Sequence, residues 1–281
     1  MESYIERAAD AIGSARALLF TSGAGMGVDS GLPDYCGAGG LWKQYPGLEE
    51  GKHSYMEMAS RRALHSDPIR AWGFIGHCLN LYRSATPHAG FSILKHWGAT
   101  AECGAFVLTS NIDGQYQKAG FDASAIHELH GSVHWLQCTS WRCARVVPAD
   151  HLNPIVDKTT CGWVGPLPQC ACGAMQRSNV FMFDDGPNWR EDRYKEQEQR
   201  LNRWLSGSSG LVVVEIGAGG AIPAIRLRSQ KISEQFGGRL VRINPTLERV
   251  NRSQDVGVRL GAVDALRRID ALLLGSTVAG A

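Results

Sequence analysis

Four short apolar runs constrain the fold of this chain more than any other feature of its sequence. They span residues 17–21, 105–109, 210–216 and 239–244. Each run is continuous and ends at polar or glycine residues, as expected for a strand that is buried on both faces. Helical stretches at 221–236 and 262–274 follow the last two runs. This alternation predicts an α/β fold with a Rossmann-like parallel sheet, helices on both faces, and a ligand site beyond the carboxyl ends of the strands.

The composition is ordinary for a globular protein. The chain has 281 residues, of which 44% are hydrophobic and 20% are charged, which fits one principal core with one or two insertions. No apolar run reaches the roughly 18 to 20 residues of a membrane span. The N-terminal residues mix acidic and basic side chains and lack the order of a secretion signal, which favours a cytoplasmic location. A net charge of +2 gives no reason to infer direct nucleic-acid binding.

Two segments interrupt the α/β pattern and divide the chain. Residues 43–88 have helical spacing, whereas residues 133–177 are irregular and rich in proline and cysteine. We therefore predict a helical insertion at 43–88 and a metal-binding insertion at 133–177, which together form a small second domain. The remaining segments, 1–42, 89–132 and 178–281, would form one discontinuous Rossmann-like domain.

The cysteines of the second insertion indicate a metal site. The cysteines in question are Cys138, Cys143, Cys161, Cys170 and Cys172. The eight cysteines of the chain are too few for a disulfide scaffold at this length. Zinc needs four sulfurs presented from two short turns, and this segment approximates that pattern. The alternative is a group of free or redox-active thiols.

A glycine-rich turn follows the first apolar run. Gly23, Ala24 and Gly25 place small residues where the strand passes into the next element, so backbone amides there can approach a diphosphate closely. Alone, this signal is weak, because glycine clusters after strands are often simple turns. The turn lacks the Gly-x-Gly-x-x-Gly spacing of hydride-transfer dehydrogenases, which makes that class less favoured.

Further short motifs extend from this turn through most of the chain. They are Gly23-Ala24-Gly25 with Ser30-Gly31-Leu32-Pro33-Asp34-Tyr35, Thr109-Ser110-Asn111-Ile112-Asp113-Gly114, Glu128-Leu129-His130-Gly131-Ser132, Arg177-Ser178-Asn179-Val180, Gly217-Ala218 and Ile243-Asn244. In content and order they resemble the motifs of the sirtuin family, the NAD-dependent protein deacylases. The resemblance covers residues 17–244, with a fainter match near Asp264-Ala265. The chain is similar to a divergent, bacterial-type sirtuin.

The resemblance implies a protein-lysine deacetylase or deacylase that cleaves NAD to nicotinamide and transfers the acyl group to ADP-ribose. It makes His130 the general base, a role that the near-neutral pKa of histidine suits, and Asn111 the residue that positions ribose or a water. Asp113 would hydrogen-bond the nicotinamide carboxamide, although Asp-Gly is also a turn signal. His127 and His134 flank His130 and could titrate instead, but neither occupies the matching motif position.

The resemblance also implies which residues bind NAD, the co-substrate, and a structural zinc. The predicted NAD-binding residues are Gly23, Ala24, Gly25, Asp34, Tyr35, Ser110, Asn111, Asp113, Gly217, Ala218, Asn244 and Ala265. The predicted zinc ligands are Cys138, Cys143, Cys170 and Cys172. Their spacing departs from that of most sirtuins, so Cys161 could replace Cys170 or Cys172. The expected partner is an acyl-lysine protein or peptide.

Three departures from the family pattern bear on activity and substrate. Cys36 stands where sirtuins carry an arginine near the cofactor, so NAD affinity or turnover would be reduced. Ile75 and Cys78 occupy the place of the Tyr-x-x-Arg pair found in sirtuins that prefer acidic acyl groups, which disfavours desuccinylation. Asp184 and Asp185 replace the family's Gly-Glu, and either select a basic peptide flank or, as we favour, cap a turn.

Two other kinds of function stay open on the sequence alone. Because the first chemical step is shared, the chain could be a mono-ADP-ribosyltransferase or an NAD hydrolase. Without an arginine at position 36, it could also be a weakly active sensor that binds NAD or ADP-ribose.

Overall fold

The computed structural model describes residues 2–34 and 54–278, and its centre is a six-stranded parallel sheet. The strands are β1 (Ala17–Ser22), β2 (Ala105–Thr109), β3 (Ile126–Glu128), β9 (Leu211–Ile216), β10 (Arg239–Ile243) and β11 (Val256–Val258). Their order across the sheet is β11-β10-β9-β1-β2-β3, and every neighbouring pair is parallel. Strand addition reverses direction between β1 and β9, which is the topological switch point of a Rossmann-like sheet.

The four predicted strands are confirmed, each to within one residue at either end. Both faces of the sheet are covered by helices, which are α1 (Glu2–Gly13), α5 (Ala89–Thr100), α7 (Asp192–Gly207), α8 (Ala224–Gln235) and α9 (Ala262–Val278). Alternate residues of β1 point to opposite faces: Leu18 and Phe20 join the core beneath α1, α5 and α9, whereas Leu19 joins the core beneath α7 and α8. Burial on both faces explains why these strands are continuous apolar runs.

The two insertions differ in secondary structure, the first being helical and the second made of short strands. The first contains α2 (Tyr55–Met58), α3 (Arg61–Ser66) and α4 (Pro68–Ser84), and the one-turn helix α6 (Gln115–Lys118) follows β2. The second contains β4 (Gly131–Cys138), β5 (Val146–Pro148), β6 (Val156–Asp157), β7 (Gly162–Trp163) and β8 (Gln176–Val180). These form an antiparallel sheet of order β5-β4-β8 and a separate β6-β7 pair. None of the helices in the described part of the chain has the length and apolar content needed to cross a bilayer.

The helical and cysteine-rich insertions share one hydrophobic core, separate from the cores of the large sheet. Trp72 and Phe74 of α4 pack in this core with Val133 and other residues of the second insertion. The indole Nε1 of Trp72 donates to the carbonyl oxygen of Gln176 at 3.1 Å. Gly73 lies so close to the second insertion that a Cβ atom there would be 1.9 Å from a backbone carbonyl oxygen. The predicted small domain built from two insertions is therefore confirmed, while its boundary residues stay a prediction.

Candidate active site

A cleft of about 840 Å³ opens at the carboxyl ends of the central strands. One wall consists of the loops that follow β1, β2, β9 and β10, and the opposite wall consists of helix α4 and the segment after β8. In open α/β sheets, ligands bind at this position, beyond the carboxyl ends of the strands at the topological switch point. Among the described residues that line the cleft there is no lysine or arginine. The acidic lining residues are Asp29, Asp34, Asp113, Asp184 and Asp185.

The glycine turn after β1 interlocks with the loop after β9. Gly23 N donates to Ile216 O at 3.1 Å, and Gly25 N donates to Gly217 O at 3.0 Å. A Cβ atom on Gly25 would lie 2.7 Å from the Cα atom of Gly217. Gly217 has a φ of +61°, and a Cβ atom there would lie 2.4 Å from the carbonyl carbon of Gly25. These glycines are therefore required for contact between the two loops, in addition to any approach of a diphosphate.

Asn111 and Ser110 tie the end of β2 to the same glycine turn. The backbone N of Asn111 donates to Thr109 Oγ1 at 3.0 Å, and its side-chain Nδ2 donates to Gly23 O at 3.0 Å. Ser110 N donates to Ser22 O at 3.0 Å. Both residues line the cleft, so strand pairing brings the predicted ribose-positioning residue directly beside the predicted phosphate-binding turn.

Asp113 is a buried carboxyl group at the wall of the cleft. Its exposed fraction is 8%, and its Oδ1 accepts a hydrogen bond from Gln115 N at 2.9 Å. Burial raises the pKa of Asp113 to about 6, and this backbone bond opposes the rise only in part. The Asp113 carbonyl oxygen accepts from His134 Nε2 at 3.0 Å. Asp113 thus stabilises the turn that begins α6 and also faces the cleft.

His130 lines the cleft between β3 and β4. Burial lowers the pKa of His130, and a backbone hydrogen bond with Ser110 opposes this shift only in part. The imidazole is therefore mostly neutral at pH 7 and can accept a proton. His127 is fully buried against the ring of Tyr194, with ring centroids 4.8 Å apart, and His134 holds Asp113 as described. Neither of these two histidines lines the cleft.

Other predicted cofactor residues divide into three groups. Asp34 and Asn244 line the cleft, together with Gly217 and Ala218. Ala265 does not, because it is fully buried in the core beneath α9. The start of α9 lines the cleft through Gly261 and Ala262, and the role of Ala265 at the cofactor stays a prediction. Tyr35 lies outside the described residues, as does Cys36.

The loop after β10 contributes lining residues beyond the predicted Asn244. Thr246 and Leu247 line the cleft, and their amide nitrogens donate to Asn244 Oδ1 at 3.0 and 2.9 Å. The sequence does contain a signal for this loop, because Asn-Pro directly after a buried strand predicts a turn at the carboxyl edge of the sheet.

Helix α4 presents one side to the cleft and another to the core of the small domain. All five of the following residues belong to the shared core: Phe74, Ile75, Cys78 and Tyr82 also line the cleft, and Trp72 does not. Ile75 and Cys78, the predicted replacements of the Tyr-x-x-Arg pair, therefore lie at the cleft. They give this wall apolar and thiol groups in place of a phenol and a guanidinium.

The carboxylates of Asp184 and Asp185 both bind other groups of the same chain. Asp184 Oδ1 accepts from Arg61 N at 2.8 Å, at the start of helix α3. Asp185 is buried in an ion pair with Arg177, and its Oδ2 also accepts from Met182 N at 3.2 Å. Both contacts support the favoured prediction that these residues cap local structure.

Four cysteine thiols meet at the tip of the second insertion. Cys138 and Cys172 have Sγ atoms 3.5 Å apart, Cys143 and Cys170 have Sγ atoms 3.8 Å apart, and all four lie within 4.8 Å of one another. Zinc–sulfur bonds of about 2.3 Å place the corners of a tetrahedron about 3.8 Å apart, so the set fits a closed structural zinc site. Cys161 is not part of this cluster and packs in the shared core, which rules out its suggested exchange with Cys170 or Cys172.

Comparisons with known proteins agree with this geometry. The model of the Sir2 family matches residues 23–213. An NAD-dependent protein deacylase of Pseudomonas aeruginosa is 30% identical, over 95% of this chain and 96% of its own length. An NAD-dependent protein deacetylase of Saccharolobus solfataricus is 29% identical, over 86% of this chain and 85% of its own.

Solved structures share the fold. A Sir2 homologue in complex with NAD superposes with a TM-score of 0.73 at 21% identity, over 96% of this chain and 94% of its own length. A structure from a study of the mechanism and regulation of Sir2 enzymes has a TM-score of 0.68 at 21% identity, covering 98% and 99% of the two chains. The matching family model and the relatives that span nearly the whole length show that this chain belongs to the Sir2 family.

Proposed function

We propose that this chain is an NAD-dependent protein-lysine deacylase that transfers the acyl group of an acyl-lysine to ADP-ribose and releases nicotinamide. One observation carries the proposal: Asn111, Asp113 and His130 converge on a single cleft at the switch point, beside the interlocked loops at Gly25 and Gly217. The relatives that match over most of the chain carry the names of deacylases or deacetylases that depend on NAD, which supports the same reaction.

The side chains of the cleft suit the separate tasks of this reaction. When bound, NAD supplies a reactive glycosidic bond and the acceptor of the acyl group. The Asp113 carboxylate would accept a hydrogen bond from the nicotinamide carboxamide, and Asn111, fixed by its bond to Gly23 O, would orient the ribose. His130, kept neutral by burial, would take the proton from a ribose hydroxyl group as general base.

The cleft lining favours neutral acyl groups. A succinyl group would bring its free carboxylate into a cleft whose described lining contains aspartates and no lysine or arginine. A buried carboxylate without a cationic partner is strongly disfavoured. The apolar side chains of Phe74 and Ile75 would instead contact a short aliphatic chain.

The zinc site would have a structural role. Its four thiol ligands complete the tetrahedron, so no position is open for a reacting water. Thiolate ligands need reducing conditions, and this supports the cytoplasm as the place of the activity.

The proposal is tested by incubating purified protein with NAD and an acetyl-lysine or succinyl-lysine peptide, followed by mass analysis of the products. We expect acyl-ADP-ribose and free lysine peptide with the acetyl substrate and at least about tenfold less product with the succinyl substrate. Nicotinamide release that is independent of peptide would instead establish NAD hydrolysis, and NAD binding without products would establish a sensor.

Two substitutions control this assay. His130→Ala should lower turnover by about 10² to 10⁴-fold while NAD binding persists, whereas His96→Ala, at an exposed site on helix α5, should leave turnover unchanged. Full activity of His130→Ala would contradict the assignment of the general base.

A further inference from the structure

The cleft contains no lysine or arginine among its described lining residues, although the ligand proposed for it carries a diphosphate. The groups that the described lining offers to a nucleotide are backbone groups and small polar side chains, whose contribution to affinity depends on how well they are held in place. The loops at 217–222 and 244–247 supply such groups, and they follow β9 and β10, on the opposite side of β1 from the strand that precedes His130. Contacts that hold these two loops in place relative to each other should therefore raise the affinity for the ligand.

A buried carboxylate lies directly behind the two loops. Glu215, on β9, is fully buried and stands opposite Arg242 in the register of β9 and β10. Arg242 Nε lies 2.6 Å from Glu215 Oε1, and Arg242 Nη2 lies 3.0 Å from Glu215 Oε2. This two-point pair satisfies both oxygens of the carboxylate. Arg226, on helix α8, is a second cation at 3.6 Å from Oε1.

Arg226 joins both loops through one guanidinium nitrogen. Its Nη1 donates to Ala218 O in the first loop at 3.3 Å and to Leu247 O in the second loop at 2.9 Å. Asn244 Nδ2 donates to the same Ala218 carbonyl oxygen at 3.0 Å. The side chain of Arg226 is 18% exposed, so its charge is partly shielded from water and is held in position by Glu215.

We propose that Arg226 is a positioning residue that sets the nucleotide affinity of the cleft, because it holds the loops at 217–222 and 244–247 in the arrangement that binds the ligand. The inference rests on the proposed function, since it takes the ligand to be an ADP-ribose derivative whose reacting end lies at Asn111 and His130. Arg226 acts from behind the loops and is not itself among the lining residues.

This geometry predicts a separation between binding and turnover. The loops that Arg226 holds follow β9 and β10, whereas Asn111 and His130 follow β2 and β3 on the other side of β1. Loosening the loops would raise the entropy that is lost when the ligand binds. It would not displace the general base. The change should thus appear in the Kd and KM for the nucleotide and leave kcat nearly intact.

The test compares Arg226→Met with the wild-type protein, using ADP-ribose as the calorimetric probe and NAD with acetyl-lysine peptide for kinetics. We expect the Kd for ADP-ribose and the KM for NAD to rise about tenfold, and kcat to stay within about twofold. Arg226→Lys retains the charge and can reach one carbonyl oxygen, so it should recover part of the affinity. Arg7→Met is the matched control, because Arg7 also bonds two carbonyl oxygens, those of Ser253 and Asp255, away from the cleft; it should bind ADP-ribose normally.

Several results would overturn the inference. One is wild-type affinity for ADP-ribose in Arg226→Met, and another is a fall in kcat with unchanged Kd and KM. If Arg226→Met fails to fold, Arg226→Lys decides, and wild-type affinity in that folded variant would reject the role. A wild-type protein that binds no ADP-ribose would overturn the proposed function as well, whereas tight binding and turnover that ignore position 226 would overturn only this inference.

Discussion

Asp113 shows how a single residue of the site can oppose the stability of the fold. Its carboxyl group is buried and has a pKa raised to about 6, against about 3.9 in an unfolded chain. The folded state therefore binds the proton more tightly than the unfolded state does. Above the folded pKa the carboxylate is ionised and destabilises the protein, and below the unfolded pKa this penalty disappears.

Asp113→Asn should consequently stabilise the protein at high pH. Two pKa units correspond to roughly 3 kcal/mol in the free energy of unfolding, and the amide oxygen of asparagine can still accept from Gln115 N. We expect a gain on this order at pH 8 that shrinks through pH 6 and vanishes near pH 4. Denaturant unfolding of both proteins across this range measures it, and deacylation should fall in the variant. An equal difference in stability at pH 4 and pH 8 would refute the assignment.

At the residue scale, the sequence predicts site residues best where they belong to a motif of several residues. Asn111 and His130 are predicted because they belong to motifs that resemble those of sirtuins, and the fold brings both to the cleft. Arg226 was not predicted, since an arginine in an amphipathic helix has no local feature that reveals two carbonyl partners in distant loops. The full burial of Ala265 could not be predicted, because motif position alone does not tell which side of a helix faces the core.

Among the elements, the loops after β1 and β9 behave as one unit. The turn at Gly25 and the loop at Gly217 are in backbone contact, and no side chain fits between them. Their mutual packing places the ends of the two central strands side by side. A change in either loop should therefore alter both.

Gly217→Ala should disrupt this unit. The residue has a φ of +61°, and its Cβ atom would meet backbone atoms of the other loop at 2.4 Å. We therefore expect the free energy of unfolding to fall by at least about 2 kcal/mol. Binding of ADP-ribose should weaken as well. Gly219→Ala is the matched control in the same loop, because a Cβ atom there meets nothing within 4 Å. Thermal unfolding and calorimetry of both variants provide the measurement. Equal effects of the two substitutions would show that the backbone contact is not the reason for glycine at 217.

The strands that the sequence predicted are those with the longest continuous apolar runs. The four long strands were found because they are buried on both faces. The edge strands β3 and β11 were missed because each has only three residues, too few for a pattern. Helix α7 was also missed, since it is largely polar and buries only a narrow stripe that includes Leu201 and Leu205.

Considered as a whole, the described part of the molecule has three hydrophobic clusters, one on each face of the large sheet and one in the small domain. The cysteine cluster belongs to the small domain. The cysteine cluster lies at the end of β4 and before β8, the two strands that connect the second insertion to the large domain. Helix α4, which forms a wall of the cleft, packs in the same small core. Loss of the metal should thus reach the cleft through packing.

We expect about one zinc ion per chain in freshly purified protein, measured by mass spectrometry of the metal. Cys138→Ser should lose the metal and unfold at a lower temperature, because structural zinc contributes directly to folding free energy. Cys103→Ser should retain the zinc, since Cys103 lies in the large domain, outside the cluster. Zinc-free wild-type protein, or normal zinc content in Cys138→Ser, would reject the site.

The central position of β1 has a consequence for biosynthesis. Ala17 pairs with Leu211, so one edge of the first strand stays open until almost two hundred residues later in the chain have left the ribosome. At translation rates of about 5–20 residues per second, this takes on the order of ten seconds or more. An open edge on a largely apolar strand such as β1 is a template for aggregation. The nascent chain should therefore depend on chaperones during this interval, and the nucleotide cleft can form only after Ala262, which lines it, has left the ribosome.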